Sequence, residues 1–508
     1  MKSYNIFKNL EIVLLIFILV GTFSMHTLAF ENQKCRNNVG QPIFNSVKVN
    51  DKNFPDKNFR KYILKNVHGA NDKKLTEKEA SAVTTMNLEN LNISDLTGIE
   101  WFGSLKELNC NYDHLKNLDV SKNLELESLN CGNNELEELN IENNKKLQNL
   151  YCEGNKLQSL DLKNFSNLNK CMCSKNHLST LSIENNSNLK VLDCSENEIK
   201  KLNVHQNKKL EELLCGENSL TSLDVSENDN LKHLLVYENK LTSLDVHHNP
   251  KLVILSCSDN QLKTLDCSSN KSLLEIRCDR NKLLTLNIGE NKILKFLDCD
   301  QNDLITLDVS ENKNLEELYC NENHLMSLDL SKNSKLENIE CRENELIVKD
   351  GLEMKQLPEK LDLDRVSDEK NGIFYKNKVH FIRDKMFFKY NTGYKNVSFT
   401  LVKGADYSPV YKAIQKVSRL NRKEYEDFSK VDQTLQKIVV NEPKRKQKEI
   451  EKDAKKIYQA VDGLRKKSKL KTIKIQKDSQ SSFFRRIMFI GIFIFAYYIF
   501  VFRKKEKM

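Results

Sequence analysis

Apolar and polar positions through the middle of this chain recur every 21 residues. That is neither the 3.6 of an amphipathic helix nor the 2 of a lone strand. Leucine holds most of the apolar slots, for example Leu136, Leu139, Leu147 and Leu150, and cysteine holds one of them. The cysteine stands at Cys110, Cys131, Cys152, Cys173, Cys194, Cys215, Cys257, Cys278, Cys299, Cys320 and Cys341, and Val236 fills the gap. Counted from the cysteine, one unit reads C-x-x-N-x-L-x-x-L-x-[VIL]-x-x-N-x-x-L-x-x-L-x, and twelve units occupy 110–349. A fixed period of this length predicts a solenoid in which each unit stacks only on its neighbours. Each unit is two half-turns of the form L-x-x-L-x-(C or V)-x-x-N. The alternation across L-x-C predicts a short strand that ends at the asparagine.

Two asparagine ladders follow from that register. The first runs Asn134, Asn155, Asn176, Asn197, Asn218, Asn239, Asn260, Asn281, Asn302, Asn323 and Asn344, with Asp113 in the first unit. The second runs Asn123, Asn144, Asn186, Asn207, Asn228, Asn249, Asn270, Asn291, Asn312 and Asn333, interrupted by Phe165. Tight corners bury backbone groups that need partners. An amide donates and accepts, so it can bridge one coil to the next. Both ladders are read as structural. The cysteines are read as small buried hydrophobes, with Cys171 and Cys267 in ordinary core slots. Equivalent residues on stacked strands sit about 4.8 Å apart and point the same way. A disulfide needs Cβ atoms about 3.8 Å apart and side chains turned together.

The segments LTSLDVSENDNLKHLLVYENKL (220–241) and LITLDVSENKNLEELYCNENHL (304–325) match L-x-x-L-D-V-S-x-N-x-x-L-x-x-L-x-C-x-x-N-x-L. Through these residues the chain resembles the cysteine-type leucine-rich repeats of the internalin J class of bacterial surface proteins. The resemblance covers about half the chain. It implies a leucine-rich repeat solenoid, and it leaves the ligand open.

Around the repeats the pattern divides the chain further. Lys2 and Lys8, the apolar run Ile12 to Val20 and the small-residue site Thr27-Leu28-Ala29 predict a secretory signal over 1–29. Residues 42–109 predict an N-terminal cap and first coil. NFPDKNFRKYILKNV is helix-like, and Met86, Leu88, Leu91, Ile93 and Leu96 stand in repeat register. Caps ahead of such repeats often carry an acidic D-x-D-x-D-G loop. Here HGANDKKLTEKE (68–79) offers His68, Ala70 and Asp72, with Lys73 in the glycine position. A calcium loop needs several carboxylates and that glycine, so no calcium site is expected. Residues 350–403, with KVHFI, KMFFKY and VSFTLV, predict a β-rich cap over the last coil. Residues 405–466 turn to helical spacing and predict a three-helix bundle. Through DYSPVYKAI, LNRKEYEDFSKVDQTLQKIV and the helix around IYQAVDGL, this segment resembles a FIVAR module. That resemblance implies a stalk unit or a binder of matrix or wall components.

A basic juxtamembrane linker is expected over 467–482, a transmembrane helix over 483–502 and a basic cytoplasmic tail over 503–508. No L-P-x-T-G precedes the span, so the chain is expected to stay in the membrane. The fold class is therefore α+β multidomain: a parallel-stranded solenoid, a β-rich cap, a helical bundle and one membrane helix. The predicted location is the cell membrane, single-pass, with most of the chain outside.

Charge adds a qualification. The net charge of +9 gathers after Lys444. A basic run can read as nucleic-acid binding, but an exported juxtamembrane run fits anionic lipid or wall polymer better. A plain solvated helix face accounts for it better still, and no nucleic-acid partner is expected. No nucleophile, base and orienter stand together and no glycine-rich phosphate loop occurs, so neither an enzyme nor a cofactor is expected. His205 and His247 share a slot two coils apart, about 10 Å at strand spacing, and no metal site is expected.

The candidate site lies on the outward positions of the cysteine-bearing strand. Most are polar, but Leu214, His233, Leu235, Tyr237 and Ile254 fall on neighbouring coils, with Phe296 and Tyr319 further along. Apolar residues gathered on an exposed sheet mark interaction sites. Two bland readings stand beside this: scattered exposed apolar residues are normal, or a neighbouring domain covers them. The expected function is adhesin-like binding of an extracellular protein or glycan. The alternative is an envelope protein holding anionic wall polymer through its basic stalk.

Overall fold

The computed structural model describes residues 45–67, 73–357, 361–376, 378–420, 422–442 and 445–466. The signal, Cys35, the loop at 68–72, the basic linker, the membrane span and the tail lie outside the described residues. Among the described residues, no helix is long and apolar enough to cross a membrane.

The repeats wind into a solenoid with one 13-stranded parallel sheet, from Thr85–Asn87 to Asn338–Glu340. Each strand is three residues long, and equivalent residues pair in register, as in His233↔Ile254 and Leu235↔Ser256. The cysteine slot follows each strand directly and is fully buried in nearly every coil. All thirteen cysteines among the described residues are free thiols. Several donate to the carbonyl of the next strand, as Cys278 Sγ does to Asp298 O at 3.3 Å. Burial pushes several of these thiols up, among them Cys278, and Cys215 to about 12.

The two asparagine ladders differ in what they satisfy. Asn239 Nδ2 donates to Cys215 O of the preceding coil at 3.0 Å and to Val236 O and Tyr237 O of its own at 3.3 and 3.1 Å. Its Oδ1 accepts from Leu220 N at 2.8 Å. Asn228, in the second ladder, donates to Val204 O and Asn207 O at 3.0 and 2.9 Å. Its own Oδ1 accepts no hydrogen bond, and the same holds for every other asparagine of that ladder. Only the first ladder works in both directions.

The residue just before each first-ladder asparagine is left-handed, as with Glu217 at φ 51° and Glu238 at φ 48°. Glycine fills this position once, at Gly154, although a side chain there is strained by about 1–3 kcal/mol. The strain persists because the corner is over-determined. The Glu238 N–H reaches Ser258 O at 3.0 Å, and the next residue is the bridging Asn239.

At the N-terminal end, helix α1 (Lys57–Asn66) follows Asp56, which accepts from Asn58 N and Phe59 N. The other oxygen of Asp56 accepts from Ser94 N at 3.0 Å and ties the cap to the first coil. A short helix α2 spans Glu77–Ser81. Met86, Leu88, Ile93 and Leu96 are buried, but Leu91 is exposed. Leu91 occupies the slot of the bridging asparagine, and the first coil has no earlier repeat to bridge.

The C-terminal cap begins inside the last repeat. Asn344–Val348 leaves the solenoid and becomes an edge of a four-stranded sheet, pairing parallel with Asn396–Lys403. Lys385–Asn391 and Val366–Lys370 complete that sheet, and a hairpin of Gly372–Tyr375 and Lys378–Phe381 lies alongside.

Three helices follow: α3 (Ser408–Ser418), α4 (Ser429–Leu435) and α5 (Gln447–Asp462). They fold back against the solenoid. Gln436 Nε2 donates to Thr242 O, Lys263 Nζ donates to Ile438 O, and Ile347 N donates to Asn441 Oδ1. Tyr411, buried on α3, donates to Ile347 O at 3.2 Å. Thr242, Lys263 and Ile347 all stand six positions after the cysteine slot. In earlier coils that slot holds exposed residues such as Lys116, Glu137 and Lys200; beneath the helices it holds the buried Leu284, Ile305 and Met326. The repeat thus encodes the helices' footprint. Here the second half-turn gains its own strand pair, Thr264–Asp266 with Thr285–Asn287.

An ion chain reinforces the seam. Arg422 lies 3.3 Å from Asp266 and 2.6 Å from Asp432, and His247 lies 3.4 Å from Asp266. Hydrogen bonding to Asp245 and then to Asp266 raises His247 to about 9. Its contribution is complete below the ordinary histidine pKa and is lost as pH rises through about 9.

Three outcomes follow. Alkylation of native protein should leave the repeat thiols unmodified, and denaturation should expose all of them with no disulfide-linked peptides in the mass spectrum. Asn239→Leu should cost about 1–3 kcal/mol, and Asn228→Leu the lower end of that range, because its carbonyl is already unpaired; chemical denaturation midpoints decide it. Leu284→Asp should release the helices from the solenoid, read as new protease cleavage between 404 and 466 with the repeats intact.

Candidate binding face

Parallel pairing turns the repeat slots into three outward columns. The column three residues before the cysteine reads Lys170, Val191, Glu212, His233, Ile254, Glu275 and Phe296. The column one residue before it reads Met172, Asp193, Leu214, Leu235, Ser256, Arg277, Asp298 and Tyr319. The column one residue after it carries Gly216, Tyr237, Ser258, Asp279 and Asp300.

Leu214, His233, Leu235, Tyr237 and Ile254 come together on three adjacent strands. His233, Leu235, Tyr237 and Ile254 are half-buried and reach the surface. Leu214 does not: it is only 6 % exposed, so it floors the patch instead of presenting itself. An outward side chain in the middle of a wide sheet is flanked on both sides, here by Asp193 and Leu235. Gly216 explains the placement of Tyr237. A Cβ at residue 216 would lie 2.6 Å from the tyrosine ring, so the absent side chain lets the ring settle over the earlier coil.

Phe296 and Tyr319 form a separate cluster. Their rings lie 5.6 Å apart, and the Arg277 guanidinium sits 4.5 Å from the Phe296 ring. The Glu275–Arg277 strand divides them from Ile254. Met172 and Val191 extend the apolar stripe on the other side, and slot arithmetic alone would have found them.

Carboxylates flank the patch on both sides. Asp193 is buried, and burial raises its pKa. Glu212 Oε1 lies 3.8 Å from His233 Nδ1. Glu212 Oε2 and His233 Nδ1 are shielded from water without a hydrogen bond. Burial keeps His233 below the ordinary histidine range. On the far side Asp279, Asp298 and Asp300 crowd together. Burial and the neighbouring carboxylates lift Asp298 to about 8 and Asp300 to about 6. The cationic counterweights nearby are Arg277, held by Glu275, and Arg280, held by Asp259 and Asp279.

No His, Cys, Asp and Glu grouping that could hold a metal occurs among the described residues. The helical module occupies the opposite half-turn, at Thr242, Lys263 and Ile347, and leaves this face uncovered.

No protein-family model matches the chain. No curated protein matches it significantly. Among solved structures it is similar to the functional domain of internalin J from Listeria monocytogenes, described as including a cysteine ladder. Identity is 25%, coverage is 70% of this chain and 98% of that one, and the TM-score is 0.49. It is also similar to an internalin, InlF, from Listeria monocytogenes, at 20% identity, covering 58% of this chain and 91% of that one, with a TM-score of 0.54. Together with the 21-residue register, the second likeness shows the fold: a leucine-rich repeat solenoid.

Proposed function

We propose that the chain is a cell-surface binding protein that holds a protein partner on the main-sheet face of its solenoid. The observation that carries this is the patch of Leu235, Tyr237 and Ile254, half-exposed on adjacent strands and floored by buried Leu214. Interface centres combine apolar and aromatic anchors with a polar rim, and this patch has carboxylates and His233 around it. The apolar centre favours a protein over a glycan. Among the described residues the helices dock elsewhere on the solenoid and leave the face free.

Export through 1–29 and anchoring through 483–502 belong to the same proposal and rest on the sequence pattern. The FIVAR resemblance is compatible with a surface protein, although the helices pack on the solenoid and do not stand apart as a stalk. The second reading, anionic wall polymer held by the basic run after Lys444, rests on the sequence pattern and is independent of that docking.

The test is adhesion of beads coated with the full chain to extracellular-matrix preparations and to purified cell wall. Leu235→Ser with Tyr237→Ser should keep the fold and lose most matrix adhesion, because anchors of this kind cost about 2 kcal/mol or more when truncated. Glu107→Ser, near the N-terminal end of the sheet and exposed, should bind as the parent does. Equal adhesion by the double variant and the control removes the site, and adhesion to wall alone moves the weight to the basic segments.

A further inference from the structure

The charge around the patch narrows the partner. The net charge of +9 gathers after Lys444, whereas the repeats carry more Asp and Glu than Lys and Arg, and the sheet face is acidic on both flanks of the apolar centre. Asp193 and Glu212 lie on one side, and Asp279, Asp298 and Asp300 on the other. Of the nearby cations, Arg277 and Arg280 are paired with Glu275, Asp259 and Asp279, and half-buried Lys170, against the Tyr151 ring, already acts on Asp193 and Glu212.

Resting on the binding reading above, we infer that the partner presents a cationic segment in which an apolar side chain alternates with lysine or arginine. The apolar side chain would seat on Leu235, Tyr237 and Ile254, and flanking cations would meet the carboxylates at each side. Complementary potentials of this kind set partner choice and encounter rate. Glu212 and His233 give a second, independent indication. Glu212 Oε2 and His233 Nδ1 are withdrawn from water and unbonded. A lone buried acceptor is costly until a donor reaches it. Lysine and arginine bring donors and no acceptor, so a small rotation of half-buried Glu212 would satisfy its oxygen on an incoming cation.

The carboxylate group on the other flank supports this. Asp298 faces Asp279, Asp300 and Arg277, and Asp300 faces Asp279, Glu340 and Asn321. Burial, and after it the neighbouring carboxylates, holds both above the ordinary carboxylate range, so part of their charge is suppressed until a cation arrives. A bound cation favours the ionised form. Binding therefore releases protons, and affinity rises as pH rises through the carboxylates' raised values.

The experiment uses the full chain and four fluorescent peptides of equal length: alternating Lys and Leu, alternating Glu and Leu, alternating Ser and Leu, and Lys alone. The Lys–Leu peptide should bind at least about tenfold tighter than the other three, weaken with added salt, and tighten from pH ~6.5 to ~8.5. Asp298→Asn with Asp300→Asn should remove most of the pH dependence and weaken the Lys–Leu peptide about tenfold without affecting Ser–Leu. Glu–Leu or Ser–Leu binding as tight as Lys–Leu overturns the cationic partner; Lys alone binding as tightly overturns the apolar seat; absence of Lys–Leu binding overturns the inference outright. Each of those results leaves the adhesion loss of the Leu235/Tyr237 variant standing or falling by itself, so the two readings fail separately.

Discussion

A coil of 21 residues turns two tight corners, and each corner buries peptide groups that water cannot reach. Everything else in this molecule depends on how those groups are paired. The first asparagine ladder pairs them across coils, with one amide holding carbonyls of two successive coils and one N–H of the earlier coil. That bridge fixes the vertical register of the stack. It also stabilises a left-handed residue beside it in coil after coil, whether that residue is Glu, Lys, Arg or Tyr. Local conformational preference is overruled because the neighbouring coils supply partners for the corner in no other geometry.

Register has functional consequences. Parallel in-phase strands convert single slots of the repeat into columns that run along the sheet. A change of residue type in one slot therefore appears as a patch in space, and the apolar stripe through Leu235 and Ile254 and the carboxylates around Asp298 are both of this kind. The same logic governs the opposite side, where the slot six residues after the cysteine turns from charged to apolar. There the change writes a docking site for the chain's own helices, with Leu284, Ile305 and Met326 buried beneath them. One repeat thus carries two independent surfaces. One is used within the chain, and the other is left facing solvent.

The burial of whole residues also explains why the thiols are quiet. A cysteine needs thiolate character to react, and these sit among leucines with their pKa values pushed up. The slot accepts Val236 without disturbance to the sheet, as expected where size and apolarity are what the position requires. Weak Sγ donation to the next strand is compatible with that role.

The 21-residue spacing by itself determined the solenoid, the strand positions, the burial of the cysteines and the columns on which a partner could bind, because stacking of identical units leaves little freedom. Beyond the repeats, the alternating runs KVHFI, KMFFKY and VSFTLV fell on three strands of the C-terminal cap, but the strands at Asn344–Val348, Val366–Lys370 and Gly372–Tyr375 were not singled out. The spacing did not reveal that Leu214 is buried, since depth within a sheet depends on the neighbours on both sides. Nor did it reveal the left-handed corner, because the usual glycine is present only at Gly154. The fold-back of α3, α4 and α5 was written in the slot of Leu284, Ile305 and Met326. Only the tertiary structure showed it, because that apolar run becomes a surface only when the coils are stacked and a distant segment is seen to cover them.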